Sequence, residues 1–164
     1  AKTFGPDRYT IDNTRSMNHN VPLIGGVEQH EGRAYAARDV QGDERGARMD
    51  IAGAYPTQAG VRKLVRTFTP EAAGVRLCDG IELDAPQRVT WVFMLRQKPE
   101  LVPGAVRFGP LVLRHNPALA QQVKEMPVTD ARLARNFPGS LWRLTLTAPA
   151  AKTLNEEFIL QRDA

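Results

Sequence analysis

Alternation of side-chain character restricts this chain more than anything else in it. Between 61 and 69, Leu64, Arg66 and Phe68 take one face while Val65, Thr67 and Thr69 take the other. Between 141 and 147, Trp142, Leu144 and Leu146 alternate with Arg143, Thr145 and Thr147. A period of two is the signature of a strand with one face in a core. Segment 88–95 is apolar on both faces, with Val89, Trp91, Phe93 and Leu95 against Val92 and Met94. It reads as a central strand covered from both sides.

Turn residues recur between these runs. The 13 Gly and 12 Pro among 164 residues would interrupt a helical bundle repeatedly. Strands spaced by about ten residues predict an all-β fold, an antiparallel β-sandwich of roughly ten strands in one domain. Further strands are expected at 21–24, where Pro22 points to a sheet edge, and at 33–38, 47–55, 75–83 and 157–162. A strand pair is expected over 106–114, split at Gly109-Pro110. A polar hairpin loop is expected at 41–46, a bulge near Asp79-Gly80, a break at 84–86 and a loop at 99–104. Segment 118–126 reads as a short helix or a strand, since Pro117 suits a helical start and Pro127 a stop.

The net charge of +4 is spread over interspersed residues of both signs, which describes a solvated surface and not a nucleic-acid-binding block. No apolar run is long enough to cross a bilayer as a helix, so neither nucleic acid nor a membrane is expected as a partner. The single cysteine, Cys78, lies between Leu77 and Asp79 and reads as a buried structural thiol. There is no phosphate loop, dinucleotide fingerprint, paired-cysteine zinc motif or nucleophile elbow around Ser16 or Ser140. The chain starts at Ala1-Lys2-Thr3-Phe4 without an initiator Met and reads as cut from something longer.

Chemistry-bearing residues concentrate at 4–29, where Arg8, Tyr9, Arg15, Ser16, Asn18, His19, Asn20 and Gln29 precede or flank the apolar run ending at Gly25-Gly26. A histidine between two asparagines, where a loop enters a strand, is a place for presented chemistry. Taken alone, a single His beside Asn is more often a hydrogen-bonded structural residue, and His19, His30 and His115 show no metal-ligand spacing.

Phe4-Gly5-Pro6-Asp7-Arg8-Tyr9, Ser16, the run His19-Asn20-Val21-Pro22-Leu23-Ile24-Gly25-Gly26 and Gln29 resemble the segment shared by heparinase II/III-like proteins. The stretches 50–56, 65–68 and 75–79 resemble that family's β portion. The likeness is strong through residue 80 and looser beyond it. It implies a sheet domain that follows an α/α toroid, the two clamping an acidic polysaccharide for β-elimination at a uronic acid. It implies His19 as one ligand of a zinc ion, with the other ligands upstream and not in this sequence. Tyr9 then becomes a proton-transfer candidate, Arg8, Arg15 and Gln29 substrate-binding candidates, and Asn18 and Asn20 groups that orient His19. Each has a plainer alternative: a packed tyrosine, surface ion pairs, turn residues. The toroid's catalytic residues are missing too, so the 164-residue chain is expected to be silent alone. A non-catalytic carbohydrate-binding or structural module, or a polyanion-binding surface, is the competing reading.

Overall fold

The computed structural model describes Gly5, Arg8, Tyr9 and residues 11–163. Phe4, Pro6 and Asp7 of the family-like segment lie outside the described residues. Among the described residues, twelve strands form two antiparallel sheets packed as a sandwich. They are β1 Pro22–Ile24, β2 Arg38–Asp43, β3 Gly46–Asp50, β4 Val61–Glu71, β5 Gly74–Gln87 and β6 Val89–Leu95. After them come β7 Glu100–Val102, β8 Ala105–Phe108, β9 Leu111–Arg114, β10 Ala120–Pro127, β11 Ser140–Thr147 and β12 Ala151–Arg162. The four-stranded sheet has the order β1-β6-β11-β10 and the eight-stranded sheet β2-β3-β4-β5-β12-β9-β8-β7. β1 is an edge, as Pro22 required.

The core lies between the sheets. Leu64, Ile81, Leu83, Trp91, Leu144, Leu146 and Phe158 are buried, each burial removing enough apolar surface to stabilise by about 1.5–3 kcal/mol. The Phe158 ring from β12 sits 5.5 Å from Trp91 and 5.2 Å from Phe93 of β6, locking one sheet onto the other. On the opposite face of β6, Val92 is also buried, and the turn at Ser16–Asn18 packs against that strand.

Several boundaries differ from the sequence expectation. Segment 33–38 is irregular until Arg38, because Tyr35 folds back in a turn to Gly32 and stacks 4.6 Å from the His30 ring. The expected loop at 41–46 is mostly strand, closed by a two-residue turn in which Asp43 Oδ1 accepts the Arg45 amide at 2.8 Å. Gly46, at φ 141°, lets the return strand pass against the Phe68 carbonyl. The strand expected over 47–55 stops at Asp50, whose Oδ1 accepts the amides of Ala52 and Leu64 and starts a 3-10 turn at Ala52–Ala54. Register runs unbroken through Asp79-Gly80; the irregularities fall between Val61 and Lys63 and between Ala151 and Thr153. β5 continues through 84–86 and segment 99–104 contains β7; of the two readings of 118–126 the strand holds, as β10 from Ala120 to Pro127 paired along β11. The last strand begins at Ala151. Cys78 is half-buried on the outer face, 3.7 Å from Glu157 Oε2, and not in the core.

Candidate functional site

The segment leading into β1 is tied to both sheets by hydrogen bonds that end just after His19, at Asn20 and Pro22. Arg66, on the inner face of β4, is 5% exposed and grips the carboxylate of Asp79 on β5, with Nε to Oδ1 at 2.8 Å and Nη2 to Oδ2 at 2.6 Å. Asp79 Oδ2 also accepts the Trp91 indole N–H at 2.8 Å. The remaining Arg66 nitrogen, Nη1, donates to the Asn20 carbonyl at 2.7 Å. A buried ion pair thus reaches through the sandwich to hold the backbone next to His19. A buried charge pair of this kind is tolerable because the lone pairs of Asp79 are filled.

Two further bonds complete the clamp. Asn20 Oδ1 accepts the Met94 amide of β6 at 2.8 Å. The Tyr55 hydroxyl donates to the Pro22 carbonyl at 2.5 Å, and burial pushes its pKa well above the ordinary tyrosine value. Within the segment, the His19 amide donates to the Ser16 carbonyl at 3.0 Å and the Val21 amide to the His19 carbonyl at 2.8 Å. The His19 side chain itself is exposed.

The candidates fall into two groups. Asn18 and Asn20 fix the backbone around His19: Asn18 Nδ2 donates to the Asp12 carbonyl at 2.8 Å. Arg15 and Gln29 belong to a clasp that closes 15–29 into a loop. Arg15 donates through Nε and Nη2 to Glu28 Oε1, at 3.2 and 2.5 Å, and the Met17 amide donates to Glu28 Oε2 at 3.1 Å. The Gln29 amide donates to Ser16 Oγ at 2.9 Å, and its side chain hydrogen-bonds Tyr55. Burial raises the Glu28 pKa, but the Arg15 and Met17 hydrogen bonds and the charges of Arg15 and Arg143 outweigh it, leaving the carboxyl below its usual range. Tyr9 is 46% exposed, with the Arg8 guanidinium 5.8 Å from its ring centre.

The other histidines are occupied differently. His115 is buried, with Nδ1 2.8 Å from the Asn116 carbonyl and Nε2 2.7 Å from Gln121 Nε2. With the Gln121 amide as donor, His115 Nε2 accepts and Nδ1 faces the Asn116 carbonyl. His30 Nδ1 lies 2.9 Å from the Glu31 carbonyl. A hollow of about 390 Å³ at 114–116 and 155–159, and another of about 360 Å³ beside the β2–β3 hairpin, lie away from His19.

Sequence reading missed Glu28, Tyr55, Arg66 and Arg143. Arg66 had one signal, a charge on the face carrying Leu64 and Phe68. Among the described residues, no three His, Cys, Asp or Glu side chains are placed to hold a metal ion. The described residues do not by themselves fit zinc.

No protein-family model matches this sequence, and no curated protein matches it. Solved structures do. A heparinase III superposes with a TM-score of 0.66 at 8% identity, over 97% of this chain and 26% of that one. A heparan sulfate lyase from Pedobacter heparinus gives 0.59 at 11% identity, over 90% of this chain and 24% of that one, and a mutant of it gives 0.60. The chain spans about a quarter of the length of these structures. At such identities the likeness is one of fold: this sandwich has the architecture of a portion of those enzymes.

Proposed function

We propose that this chain is the sheet domain of a heparinase II/III-like polysaccharide lyase, acting on an acidic polysaccharide together with an α/α toroid domain elsewhere in a longer protein. The observation that carries the reading is an exposed imidazole on a backbone pinned from both sheets, in a sandwich that superposes on a heparinase III and a heparan sulfate lyase. A scaffold that spends a buried ion pair on one loop carbonyl favours presentation of the residue beside it.

The reaction is β-elimination. The uronate carboxylate is neutralised, a base removes the C5 proton, and an acid protonates the departing O4; geometry supplies much of the rate. In this scheme Tyr9 is the proton-transfer candidate, Arg8, Arg15 and Gln29 approach the substrate, and Asn18 and Asn20 hold His19 in place. Arg15 has to share its charge with Glu28 to do so. A zinc ion, when bound, would be held by His19 and by residues outside the described ones, and would supply positive charge in the cleft. No step is assigned to it. On this reading the 164-residue chain is inactive alone, because the toroid supplies the rest of the catalytic site.

Zinc content of the full-length protein, with and without His19→Ala, tests the ligand role. Loss of stoichiometric zinc in the variant is expected. Unchanged zinc content would leave a non-catalytic carbohydrate-binding or structural module as the better reading.

A further inference from the structure

β11 turns Trp142, Leu144 and Leu146 to the core and Arg143, Thr145 and Thr147 to the outer face. Register places Arg143 directly between Met94 of β6 and Lys124 of β10. The Met94 amide is the group bound by Asn20. A single row across the sheet therefore leads from the His19 loop to Arg143 and on to Lys124.

That row is unbalanced. Like charges directly opposite one another on neighbouring strands are unfavourable. Among the described residues, neither Arg143 nor Lys124 makes an ion pair within 4.0 Å. Arg143 Nε is buried with no acceptor, and Nη1 has one long contact, 3.4 Å to Asn18 Oδ1. Glu28, which feels the Arg143 charge, has its oxygens committed to Arg15 and the Met17 amide. A guanidinium whose buried Nε lacks an acceptor and whose Nη1 has only one long contact keeps donor capacity that an incoming oxyanion can fill. The adjoining outer face offers hydroxyls and an amide, with Thr145 opposite Gln122 and Thr147 hydrogen-bonded to Thr90 at 3.0 Å. Cations beside a hydroxyl-lined sheet suit a charged sugar.

We propose that Arg143 and Lys124 form an anion subsite next to His19, which binds the oxyanion of an acidic saccharide, with Arg143 as the specificity-determining residue. The subsite deepens the lyase reading and rests on it for the identity of the ligand; anion binding rests on the geometry alone.

Calorimetric titration of this chain at low ionic strength tests it, with a carboxylate-only uronate trisaccharide, sulfated maltotriose and uncharged maltotriose as probes. The uronate is expected to bind, and Arg143→Gln and Lys124→Gln each to weaken it about tenfold. Arg143→Lys should recover part of the loss. Arg62→Gln, at an exposed pair with Asp84, should change nothing. Wild-type affinity in Arg143→Gln, equal binding of uncharged maltotriose, or no anion binding at all would each overturn the subsite. Sulfated maltotriose bound through Arg143 with no binding of the uronate would support the subsite and refute the uronate-lyase reading.

Discussion

Arg66 carries its charge into the space between the sheets, where its side chain is 6% exposed and that of Asp79 is not exposed at all. Removing one partner strands the other. Asp79→Ala leaves a buried guanidinium and an unpaired Trp91 indole, and should cost about 3–5 kcal/mol in chemical denaturation. Tyr55→Phe leaves the buried Pro22 carbonyl without its donor and should cost about 1–3 kcal/mol. Spectral changes on Tyr55→Phe should concentrate at 18–24. Cys78 behaves in the opposite sense to a reactive thiol. Burial, then the Glu157 charge, raises its pKa, so alkylation near neutral pH should be slower than that of a small free thiol. The alternation of residues 64, 66 and 68 put Arg66 on a core-facing side in the sequence. Its partner was hidden, because Asp79 lies on another strand and register is not written in a single segment.

Elements whose faces meet different surroundings were legible, and the others were not. β4, β6 and β11 alternate or run apolar because a core lies against them. All six residues of β2 are exposed, so nothing imposes a period and the strand reads as a loop. β10 alternates only between exposed and half-buried positions, and the flanking prolines suggested helix. In the 15–29 loop, the residue types were visible but the clasp was not, since Glu28 and Arg15 are joined only when the loop closes. That clasp is pH-sensitive. A carboxyl whose pKa is lowered in the fold contributes stability in full above its unfolded value, near 4.3. The contribution is lost as pH falls through the lower folded value. Amide protection factors at 15–29, corrected for the intrinsic pH dependence of exchange, should therefore fall below about pH 4, while those of β4 and β5 stay high. Glu28→Gln should abolish that dependence and leave the segment loosened at neutral pH.

At the scale of the molecule, twelve strands in two sheets position one exposed loop where bonds from Arg66, Tyr55 and Met94 converge. The sandwich was readable from turns and periodicity; the sheet order was not, because β5 pairs with β12 at the far end of the chain. His19 was singled out by its asparagine neighbours and by resemblance. The bonds from β4 and β6 that fix its backbone required the folded chain. Arg143 was read as one polar position among threonines, and nothing local to β11 distinguishes it.

The most direct measurement is the release of unsaturated uronate from an acidic polysaccharide by the full-length protein, compared with its His19→Ala variant at matched folding. The lyase reading predicts unsaturated product from the wild type and a loss on the order of 100-fold in the variant. Equal rates in the two proteins, or no unsaturated product from any uronate-containing polysaccharide, would contradict it.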